Sequence, residues 1–242
     1  MSPHVPVGGP GPIGIVSAME PELAALRPLL EERRVETIGG RRLHHGRLLG
    51  HEVVLTLSGI GKVAAAMTTT LLIERCGVRG LLFTGVAGGL AEAVRVGDVV
   101  VATDVLQHDL DCSPLFPRHH IPDLGRAALG CDGALVEALV AAASEIGRVG
   151  SVHRGLVVSG DRFVSTAAES TALRSLLPQA LAVEMEGAAM AQVGASYGVP
   201  CAMVRTISDR ADDQAHLDFT RFLAEVASPL SRDIVCGALR RL

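Results

Sequence analysis

The 242-residue chain is expected to fold as one α/β domain, on three observations. Apolar runs of strand length alternate with segments of helical period from Ile13 onward, the pattern of a sheet covered by helices. No Ser/Gly linker or internal repeat interrupts that alternation. Three acidic segments, Glu20-Pro21-Glu22, Val183-Glu184-Met185-Glu186 and Ser208-Asp209, each follow an apolar run, and in α/β sheets such strand ends converge on the ligand.

Ile13 to Ser17 reads as the first strand. Leu23, Leu26, Leu29 and Leu30 recur at helical spacing and predict a helix over 21–32. Residues 37–57 read as two or three strands, turned at Gly39-Gly40 and Gly50-His51. An Ala-rich helix over 62–74, a short buried strand over 80–84 and a strand over 96–106 come next. Residues 107–131 hold Pro114, Pro117, Pro122, Gly125 and Gly130, too much punctuation for a regular element, and read as a long functional loop. Helices over 133–146, 166–177 and 185–197 then alternate with strands over 153–159, 181–183 and 202–207, before a last helix over 219–242.

Composition removes several classes of function. The formal net charge is −4 with no basic run and no aromatic RNA-binding signature, so nucleic acid is not an expected partner. No uncharged apolar run reaches the roughly 18 residues of a membrane span, which predicts a soluble chain with no membrane partner. Residues 1–12 are Gly/Pro-rich and lack the basic and apolar regions of a signal peptide; a disordered lead-in and a cytoplasmic location are expected. Cys76, Cys112, Cys131, Cys201 and Cys236 are odd in number, without a C-x-x-C pair, and suggest reduced thiols rather than disulfides or zinc. Trp is absent, so a bound base would lie between one or two Phe faces and aliphatic walls.

Several motif matches fail on context. Gly59-Ile60-Gly61-Lys62 lacks both the distal acid of a dinucleotide fold and the spacing of a P-loop. Its amides could still bind oxygens at a helix N-terminus, although tight packing is the plainer role. Gly194-Ala195-Ser196-Tyr197-Gly198 spells a nucleophile elbow but ends a helix instead of opening one. His108-Asp109, Asp111 and His119-His120 fit no metal-ligand template, and no metal is expected. The carboxylates are different, because idle acids at the ends of buried strands are costly. Glu186 could serve only a helix dipole and Asp209 only a turn, yet the convergence of all three acidic segments favours a catalytic cleft.

Six segments in order resemble the 5′-methylthioadenosine/S-adenosylhomocysteine nucleosidases of the purine nucleoside phosphorylase superfamily. They are 13–22, 58–65, Thr84-Gly85-Val86-Ala87-Gly88-Gly89, 158–163, Val183-Glu184-Met185-Glu186 and Arg205-Thr206-Ile207-Ser208-Asp209. The resemblance implies one nucleosidase domain over 13–242 with a mixed central sheet flanked by helices, a homodimer, and a nucleoside and water as reactants without a cofactor. It implies that Asp209 is the acid that protonates the purine, with desolvation raising its pKa, and that Glu22 holds or deprotonates the water. Glu186 would bind the ribose hydroxyls, Phe163 and Val164 would cover the base, and Met185 would lie under the ribose. Met19, Ile60 and Phe219 would line a 5′-alkylthio pocket, and Arg205 and Ser208 would organise Glu22 and Asp209. A partner subunit would close that pocket with its Leu115, Phe116 and Ile121. Val86 departs from the family, which has Ser or Thr there to help place the water.

Hydrolysis of 5′-substituted adenosines is therefore the expected activity, with 5′-deoxyadenosine among the substrates to consider. Phosphorolysis is the nearest alternative, but Glu20 and Glu22 stand where phosphorylase relatives carry arginines, and their charge would repel phosphate. A futalosine-type nucleosidase, and a catalytically dead nucleoside-binding protein suggested by Val86, are the other readings.

Overall fold

The computed structural model describes residues 10–211, 222 and 226–242. Strand β1 (Ile13–Ser17) is buried along its whole length and lies parallel to both β4 (His51–Leu57) and β5 (Gly80–Gly89). Beyond β4 an antiparallel meander adds β3 (Arg41–Leu48) and β2 (Glu31–Ile38), turned at the expected Gly39-Gly40 and at Gly50, all three glycines having positive φ. On the other side, β5 pairs in parallel with β10 (Cys201–Asp209), which runs antiparallel to β6 (Val99–Gln107). Parallel pairing continues through β8 (Val152–Ser159) to β9 (Ala180–Glu184), and β9 returns to β5 where Val183 and Ala182 face Gly88 and Gly89. Five strands thus close a ring, with the sheet extending from it as an open wing. The mixed sheet agrees with the fold class expected.

Alternation along the strands explains the layers. Ile13, Ile15, Val53, Leu55, Val99 and Val101 face a core closed by α1 (Glu20–Ala24), α3 (Gly133–Ser144) and α6 (Ser228–Leu239). Val16, Val54, Leu81, Phe83 and Val100 face the opposite core, closed by α2 (Lys62–Cys76) and α5 (Gly187–Tyr197). Helix α4 (Ala167–Leu176) packs Leu173 in a smaller cluster with Val158 and Val183. Each fully buried Leu, Ile or Phe contributes about 1.5–3 kcal/mol.

Three expectations need correcting. The helix expected over 21–32 ends at Ala24; a 3-10 turn follows at Arg27–Leu29, and Glu31 already opens β2. Pro28 explains the break, since it has no N–H to donate to the Ala24 carbonyl and so cannot continue the α-helical ladder. Strand β5 runs on through Gly89, and the loop 107–131 contains both a 3-10 turn at Pro122–Leu124 and strand β7 (Ala128–Gly130), paired with β6. Residues 1–9 of the expected lead-in lie outside the described residues; beside them, Gly11 and Pro12 accept hydrogen bonds from Arg79 at 2.9 Å. Most of the first part of the helix expected over 219–242 is also outside them, Phe219 included.

Candidate active site

Glu22 is positioned by the turn from β1 into α1. It occupies the third position of the helix and folds back, so that one oxygen accepts the amides of Ala18 at 2.9 Å and Met19 at 2.8 Å. Its other oxygen accepts the Val86 amide from β5 at 3.1 Å. Such an approach requires glycine at position 85, where a Cβ would stand 2.7 Å from the Glu22 carboxylate. Burial pushes the Glu22 carboxyl above its ordinary value, against the Met19 amide and the Arg205 charge, which pull it down.

Asp209 ends β10 at a bulge opposite Gly88. The bulge re-aims its side chain, and a Cβ on Gly88 would come 2.9 Å from its Oδ1. The Ser208 hydroxyl donates to Asp209 Oδ2 at 2.8 Å, and the Ala211 amide donates to Oδ1 at 2.7 Å. The carboxyl is buried.

Two acids at the end of β9 divide the work. Glu184 accepts the amides of Glu186 and Gly187, the Ser159 hydroxyl, and Arg205 Nη2 at 2.6 Å, so it both caps α5 and holds a buried ion pair. Arg205 in turn lies 4.2 Å from the Phe83 ring centroid. Glu186 makes no capping bond with its side chain and instead accepts the Gly61 amide at 2.8 Å. Burial, then the Glu184 charge, push its carboxyl up to about 8. The glycine turn before α2 therefore spends its amides on protein carboxylates, since Lys62 N likewise donates to Asp161 at 2.7 Å.

Met19, Glu22, Ile60, Val86, Phe163, Val164, Met185, Glu186, Ser208 and Asp209 all border one cleft of about 440 Å³. Arg205 is buried and does not border the cleft; it pairs with Glu184, and toward Glu22 it contributes charge. Val86 presents an amide to Glu22 while its side chain packs with Ala227, Met19 and Phe222. Leu115 and Phe116 are exposed, whereas Ile121 is buried in this chain's own core with Leu129, which removes it from the surface offered to a partner. Glu184 is the residue sequence reasoning left out, although its place two residues before Glu186 at a buried strand end was a usable signal.

The chain matches the family model described as the phosphorylase superfamily over residues 12–240. It is similar to the crystal structure of a Neisseria meningitidis 5′-methylthioadenosine/S-adenosylhomocysteine nucleosidase in complex with methylthio-immucillin-A. That match has 35% identity and a TM-score of 0.91, covering 96% of this chain and 100% of the other. A Colwellia psychrerythraea nucleosidase of the same description, in complex with adenine, matches at 34% identity and TM-score 0.91, over 97% and 96% of the two chains. A Helicobacter pylori futalosine hydrolase matches at 34% and 0.88, over 96% and 98%.

Proposed function

The chain belongs to the phosphorylase superfamily and, within it, to the 5′-methylthioadenosine/S-adenosylhomocysteine nucleosidases; on that premise we propose that it hydrolyses the N-glycosidic bond of 5′-substituted adenosines and releases adenine. The observation that carries this reading is the meeting of Glu22, Glu186 and Asp209 around one cleft. Asp209 protonates the departing purine at N7, so that the base leaves without a full negative charge. Ser208 and the Ala211 amide hold its carboxyl in one orientation. Glu22, fixed by three backbone amides, positions the water and takes its proton as positive charge develops at the anomeric carbon. Glu186 receives the ribose hydroxyls, whose donated hydrogen bonds favour its ionised form and draw its pKa down on binding. Opposed acid and base duties on separate carboxylates follow the logic of glycoside hydrolysis.

Phe163 and Val164 cover the base, Met185 lies under the ribose, and Met19 and Ile60 form the apolar wall of the 5′ group. Exposed apolar side chains at Ile60, Val63, Met67, Leu115 and Phe116 support a homodimer in which the partner closes that wall. The five free thiols suit a reducing, cytoplasmic setting, and hydrolysis of methylthioadenosine would feed methionine salvage. The likeness to a futalosine hydrolase keeps a different nucleoside as the second reading.

Adenine release from methylthioadenosine, followed with and without phosphate, tests the proposal. Equal rates and free sugar as product are expected. A strict phosphate requirement, with sugar 1-phosphate as product, would replace hydrolysis by phosphorolysis.

A further inference from the structure

Beside the catalytic cleft lies a second cavity of about 250 Å³ with a different chemistry. It opens between α1, the β2–β3 turn and the end of β4, and Arg27, Arg41, Arg42 and His44 border it, with Glu20 as its one carboxylate. Glu20 is already engaged by Arg27. Arg41 gives its Nε to Thr68 at 3.0 Å, while the Arg42 guanidinium has no hydrogen-bonding or ion-pair partner among the described residues. Arg27 Nε is buried without a hydrogen-bond partner. Burial, then the charges of Arg27 and Arg42, hold His44 below the usual imidazole range, so that it is neutral near pH 7 while the guanidiniums stay charged. Charges on a meander near a sheet edge help prevent aggregation, but that purpose does not require three guanidiniums to converge on one concavity.

The cavity adjoins the expected 5′ end of the nucleoside. Ala18 borders both cavities, and Gly59 of the basic one is followed in the chain by Ile60 of the cleft. We infer that this cavity is an anion subsite whose guanidiniums receive the terminal carboxylate of a long 5′ substituent, extending the apolar wall formed by Met19 and Ile60. Guanidinium and carboxylate match in geometry, and paired N–H donors make such contacts directional. A methylthio group would leave the subsite empty, so the subsite sets preference among substrates without touching the reacting bond. The inference rests on the nucleosidase reading above, and the same donors could also take a free oxyanion such as inorganic phosphate.

The test compares S-adenosylhomocysteine, its carboxamide and methylthioadenosine as substrates of the full chain and of Arg41→Gln/Arg42→Gln, with Arg42→Gln alone as the milder variant. The wild type should favour the acid over the carboxamide by about ten-fold in kcat/KM. The double variant should bring that ratio near one and leave methylthioadenosine turnover unchanged. Calorimetric binding of the acid and the carboxamide reads the same ratio where turnover is absent. Equal handling of the two by the wild type, or a preference that survives the double variant, overturns the subsite. Loss of adenine release from all three substrates with the binding preference intact would sink the nucleosidase reading alone. Phosphate that competes with the acid but not with methylthioadenosine supports the shared oxyanion chemistry. Phosphate that binds the wild type and is consumed in base release assigns the guanidiniums to the free ion and overturns the carboxylate assignment.

Discussion

The floor and the rim of the cleft are built differently. On the floor, Glu22, Glu184, Glu186, Arg205 and Asp209 are all buried, and every carboxylate accepts at least one backbone amide. At the rim, Ile60 is 60% exposed and Phe163 42% exposed. The difference teaches that the buried acids are held by backbone geometry within one chain, whereas the rim, which the proposed function assigns to the 5′ group, is left open to solvent by a single chain. On the proposed function, pre-organised acids would carry the reaction class and the rim would carry substrate choice.

That contrast breaks most visibly at Asp209. Asp209→Asn should lower kcat by about a thousand-fold while a non-hydrolysable nucleoside analogue still binds, since the proton donor is removed and the pocket kept. Turnover at the wild-type rate would refute the acid assignment. Next, Arg205→Met strands the buried Glu184 charge and should cost about 3 kcal/mol of stability. That loss corresponds to roughly 10 °C in a thermal melt of a chain this long. An unchanged melting temperature would show that the pair does not support the floor.

Glu186 separates function from stability. Its carboxyl is lifted from the ordinary 4.5 to about 8, so the fold keeps its proton while the unfolded chain ionises. Stability is therefore lost as pH rises between those two values. Glu186→Gln should abolish most activity yet melt higher than wild type. The gap should widen toward pH 8 to at least about 1 kcal/mol, because each pKa unit is about 1.4 kcal/mol. A gap that shrinks as pH rises would contradict the burial of that charge. The rim should give the smallest effect: Ile60→Ala should raise KM for methylthioadenosine several-fold, a loss of about 1 kcal/mol, with kcat retained.

Much of this floor could be read from the sequence because each acid closes an apolar run, and the end of a buried strand leaves a charged side chain few places to go. The division of labour between Glu184 and Glu186 could not, since both sit on the same strand end and only the amides of α5 distinguish them. Periodicity misleads over residues 21–32, where the leucine spacing suits a helix but Pro28 interrupts it. Glycines hide the length of β5: Gly85 and Gly88 look like a strand terminus, yet they continue the strand by pairing with β10, and two carboxylates pressing on the backbone leave no room there for a side chain. The family resemblance points Ile121 toward a partner, whereas its apolar side chain is buried in the chain's own core.

The ring of β5, β10, β6, β8 and β9 has a dynamic consequence. A hoop of strands offers no hinge line, so the acids at its mouth cannot swing apart as two domains would, and the way in lies past the exposed rim of Ile60 and Phe163. Amide exchange should therefore be slow along β5 and β10, reporting only global opening. The turn bearing Phe163 should exchange quickly, and a bound nucleoside should slow it.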